Sequence, residues 1–466
     1  VNLVLKEQIN IIIKMINFKN ILNYTEMRIS IMLITKNKFN KLDIITLLLN
    51  ILLIILSLYN TSFSKYLLLA TSWTNVILLY KSRNQKSFFI MFIFWFTYIL
   101  YLYHYFFFGI QLSVYKIYQN DYNFTLTLIV HSIFLGIFNL YFKTIKYKED
   151  IKNKIRIKDN SLFFLGSILI MVFIIIFGKA GENIFSAGGY GKNTVSNFLN
   201  LAIYEYYYIF FLLAIKYSKL KKDRLIIIFL ISFFYIIKNL LFGGRVESLQ
   251  LLLLIFLLFM SFKISNKLFY FGAIIGYYFF DLFGRIRGNP SIIFEGLNIL
   301  NPFNLNRTII SNNQTDVFYN STAFIGLVND NLFDLEFRIK SFLYFILGLF
   351  VPSKYIPQEY TLWTAGRNLG VNYGGGGLIS SITYTWLGVF GVILIAIFFA
   401  KIFNKFNHSK NEYVNIYIIM LLTTFPRWFA YSPITAFKLS VYSVVIFWIV
   451  DKLEEVFSKK KSSFYN

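Results

Sequence analysis

The chain has no cysteine, only 6 prolines and 3 histidines, and fewer than half as many acidic residues as basic ones, 22 against 46 over 466 positions. Without cysteine there is no disulfide, no thiolate nucleophile and no thiolate metal site. Charge of either sign is scarce too. It makes up 15% of the chain against 57% hydrophobic residues, with a mean hydropathy of +0.59, well outside the range of soluble domains. HExxH, GxSxG, a P-loop and an early outer DxD are all missing, so metalloprotease, serine-hydrolase and nucleotide-phosphate chemistry have no footing. No metal and no cofactor is expected.

What is present is apolar and aromatic, with 55 Phe and 34 Tyr. Abundant Phe, Tyr, Ile, Asn and Lys is the pattern an AT-rich genome produces by itself, so the aromatics do not argue for sugar stacking. The formal charge of +24 invites a nucleic-acid partner. Lysine and arginine, however, collect in short connections between apolar runs, as the positive-inside rule requires. No nucleic acid is expected, and membrane lipids are. The expected class is an all-α polytopic membrane protein with one large, partly helical extracytoplasmic loop.

A helix needs roughly 20 apolar residues to cross a bilayer. Runs near that length fall at 42–59, 64–80, 88–110, 124–142, 161–178, 198–215, 225–242, 247–262, 268–284, 378–400, 412–427 and 434–450, which gives twelve spans. Connections 143–160 and 216–224 are richest in basic residues and are placed in the cytoplasm. Alternation from these anchors puts KSRNQK, KISNK, KIFNKFNHSK and the tail 451–466 on the same side. The outside receives 179–197, the turn Gly243 to Glu247, the long stretch 285–377, and 426–433. Ser341 to Val351 is apolar but short, and a crossing there would carry Lys401, Lys405 and Lys410 outside. It is predicted to be an interfacial or re-entrant helix. The organisation is then a cytoplasmic N-terminal tail (1–41), nine spans (42–284), the loop 285–377, three spans (378–450) and a tail. Val1 fits an alternative or upstream start codon, with Met27 or Met32 as alternative starts. No internal repeat of the transporter kind is found.

Two stretches invite chemistry. FGGRVESLQ at 242–250 sets two glycines and Arg245 at the mouth of a span. Glycines end a helix and expose amides, and a guanidinium offers planar donors suited to phosphate oxygens. Equally, Arg245 is an interfacial anchor whose head snorkels to water. Asp281 and Arg285 in DLFGRIR fit either a site or an i to i+4 ion pair. Further outer arginines are Arg287, Arg307, Arg338, Arg367 and Arg427. The second stretch, RNLGVNYGGGGLISSITYTWLGVFG at 367–391, places Tyr373, Gly374, Gly375, Gly376 and Gly377 before a span carrying Tyr384. Its glycines permit close backbone approach to a ligand, or form a linker. Within spans the costly ionisable groups are Glu205, Lys238 and Lys438. A Glu205 to Lys238 pair is one reading, and His131 is expected to bond to a neighbour.

The GGR turn before an apolar span, the large penultimate outer loop with an apolar stretch ending at Pro352 and Lys354, and GGGG followed by WLGVFGV resemble the Wzy-type oligosaccharide repeat-unit polymerases. These build O-antigens and capsules. The resemblance covers most of the chain in architecture, through short motifs. It implies a metal-independent, inverting glycosyltransferase of the membrane-embedded class in the bacterial cytoplasmic membrane. A growing glycan would pass from undecaprenyl diphosphate to the non-reducing end of a new lipid-linked unit. The partners implied are that lipid-linked glycan, a chain-length regulator and a flippase. Arg245, Arg285, Arg287, Arg367 and Arg427 would hold diphosphate, where cationic donors stabilise the leaving group. Asp281 or Glu247, beside Arg245, would complete the catalytic set as proton acceptor.

O-antigen ligases have a similar architecture but carry a histidine in the outer loop, and residues 285–377 hold none. A lipid-linked oligosaccharide flippase, from another functional class, would place cations along a central cavity with modest loops on both sides.

Overall fold

The computed structural model describes residues 40–115, 117–145, 154–177, 203–241, 245–260, 265, 267–272, 275, 309–310, 312–351, 355–371, 376–406 and 408–463. Helices α1 (Lys41–Tyr59), α2 (Ser64–Ser82), α3 (Lys86–Phe108) and α4 (Asp121–Tyr141) come first. They are followed by α5 (Ser161–Phe177), α6 (Tyr207–Tyr217), α7 (Lys222–Leu241) and α8 (Arg245–Ile255), the last prolonged by a π turn at Phe256–Met260. Strands β1 (Gln111–Leu112) and β2 (Ile309–Ile310) pair in parallel and tie the 109–120 connection to the long loop. Beyond them lie α9 (Asn313–Asn329), α10 (Leu335–Gly348), α11 (Leu362–Asn368), α12 (Ile379–Phe406), α13 (Glu412–Ala430) and α14 (Ile434–Ser463).

The fold is all-α, and α1, α3, α4, α12 and α14 are long and apolar enough to cross a membrane. Helices occupy, in whole or part, each of the twelve apolar runs, although most of 268–284 lies outside the described residues. Helix α1 is inside out. Its buried residues are Asp43, Thr46, Asn50 and Ser57, one face of the helix, while Ile45, Leu48, Leu52 and Ile55 stand more than half exposed. That arrangement suits hydrocarbon outside and polar contacts inside, the reverse of a surface helix in water.

Helices α2 and α4 run parallel with a constant offset. Ser64 bonds Thr125, Thr71 bonds Ser132, Lys81 bonds the Phe142 carbonyl and Asn84 the Ile145 carbonyl, each pair separated by 61 residues. The first two pairs, one seven-residue step apart as in left-handed helix packing, are small hydroxyls that let the backbones approach. Lys81, with a 4% exposed side chain, also holds Asp43 at 2.8 Å, which fastens α1 to this pair. Aromatic rings fill the centre: Trp95 stacks on Phe429 at 4.7 Å and Phe399 on Trp428 at 4.3 Å, joining α3, α12 and α13.

The two ends of the bundle differ in charge. At one end Lys216 is wholly buried between Asp451 (2.8 Å) and Glu412 (3.0 Å), Lys158 reaches Asp451 at 3.5 Å, and Asn404 takes the Lys143 amide. The connections around 143–160, 216–222 and 404–415 thus share one end with residue 451, as alternation requires. Two expected boundaries move. Helix α14 runs through 451–463 because Asp451 and Glu454 are bound to lysines on other elements. Helix α13 continues through Pro426 to Ala430, so Arg427 sits in its last turn and not in a loop. The Trp428 indole donates to Leu421 O at 2.9 Å, beside the carbonyl that the proline leaves without its amide.

Helix α10 begins at Leu335, six residues before the apolar stretch expected there. One face exposes Leu335, Ile339, Leu343 and Leu347, and the other docks on a break in α12. Gly388 has φ +65° and ψ −155°, a region reserved for glycine. The Arg338 guanidinium donates to Thr385 O at 2.6 Å and Tyr384 O at 3.4 Å, the carbonyls that the break exposes. Gly391 then packs on the Thr383 carbonyl so closely that an added Cβ would lie 2.5 Å from it. Helix α9 was not legible as a buried element. Its sequence NQTDVFYNSTAFIGLVN is polar, yet it is buried along most of its length against α4 and α12.

These packings make three expectations. Gly391→Ala lowers the thermal midpoint, by about 1–3 kcal/mol of stability, whereas Gly166→Ala on α5, whose added methyl meets nothing within 4 Å, leaves it unchanged or higher; thermal unfolding in detergent compares them. Asp159 receives Lys221, Lys219 and Arg224, and hydrogen bonding from Lys221 above all holds its carboxyl below the usual range. Its stabilising contribution is therefore present above the unfolded carboxylate value of about 4 and lost as pH falls through the depressed one. Asp159→Asn should flatten that part of the midpoint-against-pH curve.

Candidate functional site

The end opposite the lysine-rich connections gathers several of the residues singled out in the sequence. Helix α8 begins at Arg245 and carries Glu247 in its first turn, where the helix dipole favours a carboxylate. Because α8 packs against α13, Glu247 Oε1 meets Arg427 Nη2 at 2.7 Å. The same guanidinium reaches Glu205 Oε1 through Nε at 3.3 Å. Glu205 stands in the short turn Tyr204–Tyr206 that leads into α6. Two carboxylates therefore share one guanidinium, and the trio carries a net charge of −1 when all three are ionised.

A nest of tyrosines supports the trio. Tyr204 and Tyr207 stack on Tyr235 at 4.5 and 4.0 Å. The Tyr208 hydroxyl lies 3.0 Å from both Glu247 O and Gln250 Oε1, which share its one proton. Gln250, one turn beyond Glu247, is wholly buried, and its Nε2 has no hydrogen-bond partner among the described residues. Sequence reading passed over Gln250; its i to i+3 spacing from Glu247 was the available signal.

The other ionisable groups at depth have separate tasks. Lys238 donates to the Ile175 carbonyl and, at 3.3 Å, to that of Ile176, the last turn of α5. Lys438 donates to Gly348 O at 3.1 Å, and Tyr442, one turn along α14, to Leu349 O at 2.9 Å, together capping α10. His131 bonds Ser380 at 3.3 Å, as an apolar-face histidine is expected to bond a neighbour.

The glycine-rich stretch enters from the side. Asn320 donates to Gly376 O at 2.9 Å and Ser321 accepts from Leu378 N at 2.8 Å, so consecutive residues of α9 grip both flanks of Gly376–Gly377. A Cβ on Gly376 would lie 2.0 Å from Tyr431 Cα, and one on Gly377 3.0 Å from the Phe324 ring. At these two positions glycine serves close packing and not linker freedom. Tyr431 N bonds the Arg427 carbonyl at 2.9 Å, which links this contact to the end of α13 that bears the trio.

Tyr384 contributes its carbonyl to the Arg338 contact. Arg367, on α11, is exposed and makes no ion pair among the described residues. Asp281, Arg285, Arg287, Tyr373, Gly374, Gly375 and the side chain of Arg245 lie outside the described residues. Arg427, expected to be a free cation of the outer loops, is instead shared by two carboxylates.

Removing Arg427 leaves Glu247, with a 10% exposed side chain, without its guanidinium. Arg427→Ala and Glu247→Gln are each expected to lower stability by about 1–3 kcal/mol. The double variant should lose less than the sum, with a coupling of about 1 kcal/mol or more in a denaturation cycle. Additive losses would mean the pair contributes no interaction. Compared with protein-family models, curated proteins and solved structures, the chain matches none.

Proposed function

We propose that the chain is a twelve-span enzyme of the bacterial cytoplasmic membrane. Its reaction joins undecaprenyl-diphosphate-linked oligosaccharide repeat units into a surface polysaccharide at the outer face. The observation that carries this reading is one polar mouth. The start of α8 after the GGR turn, Glu247, Arg427, and the last glycines of the glycine-rich stretch meet at the end opposite the basic connections. In the resemblance these motifs belong together, and hydropathy alone gives no reason for them to meet.

In this reading the bond from the transferred sugar's anomeric carbon to the lipid diphosphate breaks as an acceptor hydroxyl forms the new glycosidic bond. Negative charge grows on the departing diphosphate. Arg245 and the exposed Arg367, with Arg285 and Arg287 of the same loop, stabilise that charge by bidentate hydrogen bonding. The hydroxyl proton passes to a carboxylate, for which Glu247 and Asp281 are the candidates. Arg338 on α10 holds the carbonyls at the break in α12 and so ties that helix of the loop to the span.

Deletion in the host tests the reading against its rivals. Surface glycan cut to single repeat units is the expected result; loss of all exported glycan would indicate a flippase, and full polymer stranded on its lipid carrier a ligase. Arg245→Ala is expected to abolish polymer while the protein still accumulates in the membrane. Arg245→Lys should restore only part, because an ammonium lacks the guanidinium fork.

A further inference from the structure

Between Asp43 and Lys81 the sequence holds one charged residue, Lys65. It stands in the first turn of α2, at the end of the bundle opposite the lysine-rich connections. Ser64 bonds Thr125 at the start of α4, whereas Lys81 reaches the Phe142 carbonyl at the other end of that helix. The positive-inside pattern gives a lysine no reason to be there. Lys65 is exposed, its ammonium lies 5.9 Å over the Phe107 ring, and it makes no ion pair among the described residues.

Beside Lys65 the outward faces of α1 and α2 part into a groove of about 590 Å³. Leu49, Leu53 and Leu56 form one wall, and Tyr66, Leu69 and Trp73 the other, with buried Ala70 between them. Phe63 closes the outer end, its ring 6.2 Å from that of Tyr66. Leu49, Tyr66 and Trp73 are each about half exposed, so the groove opens to the outside of the bundle. Lys65 stands one turn before Leu69 on the same helix, which sets its flexible stem at the rim.

Length and volume choose the occupant. Leu49, at the inner end of the groove, lies ten residues or about 15 Å from Tyr59 at the outer end of α1, half of a hydrocarbon core of about 30 Å. The groove therefore runs through one leaflet and stops. A partner's spanning helix would need a seam through both leaflets, and the long prenyl chain of undecaprenyl diphosphate needs more than this volume. One acyl chain of an outer-leaflet phospholipid fits both limits. Its phosphate would meet the Lys65 ammonium and the Tyr66 hydroxyl, which bonds to no other described residue.

We propose that the groove between α1 and α2 is a site for an anionic phospholipid, with one acyl chain between Leu53 and Trp73 and the phosphate at Lys65. The site does not depend on the polymerase reading. Its test places the full chain in phosphatidylcholine vesicles with rising fractions of tail-brominated phosphatidylglycerol and follows the quenching of Trp73, taken as the fluorescence that Trp73→Phe removes. Leu52→Trp, made in the Trp73→Phe chain, reports the open face of α1, because Leu52 is 54% exposed and does not line the groove. Trp73 is expected to be half quenched at a phosphatidylglycerol fraction about fivefold lower than the tryptophan of Leu52→Trp. Lys65→Gln changes an exposed side chain and should abolish that difference, while tail-brominated phosphatidylcholine still quenches Trp73 as in the unaltered protein. Equal quenching at the two positions, or a preference that survives Lys65→Gln, overturns the site. No quenching of Trp73 by either brominated lipid would put protein in the groove, and overturns it as well.

Discussion

Within an apolar bundle a positive charge must find its partner inside the protein, and the partner used here again and again is the carboxyl end of a neighbouring helix. Lys81 takes the carbonyls of Asn139 and Phe142 at the end of α4. Lys238 takes those of Ile175 and Ile176 at the end of α5, and Lys438 that of Gly348 at the end of α10. Arg338 does the same at the break in α12. Each cation meets the negative pole of a helix dipole and orphan carbonyls that hydrocarbon cannot solvate. One chemical device thereby pins three helix ends and the break in α12.

The helices and the two ends were legible because both are written in one-dimensional signals: apolar run length, and lysine density in the connections. Pairing was not. Glu205 was read against Lys238, yet the structure brings Arg427 to it from 222 residues downstream, and only helix packing could reveal that. Helix α9 was placed in the partly helical outer loop, and its Asn, Thr and Ser residues gave no sign that it is buried. In the fold those same groups bond to the Gly376 carbonyl, the Leu378 amide and Thr127. The glycines at 376, 388 and 391 could be noticed in the sequence, but whether each meets backbone, a ring or open space required coordinates.

Of the residues singled out for chemistry, Glu247, Arg427, Gly376 and Gly377 converge on one end of the bundle, and Arg367 is exposed on α11. Arg427 is shared by two carboxylates, whereas Arg367 makes no ion pair among the described residues.

The inverted face of α1 bears on how the protein is made. Asp43 leaves the ribosome 38 residues ahead of Lys81 and 96 ahead of Asn139, the two side chains that satisfy it. Until both arrive, its carboxylate has no counterpart in lipid. Helix α1 can therefore complete its polar contacts only after α2 and α4 have been made and have docked beside it.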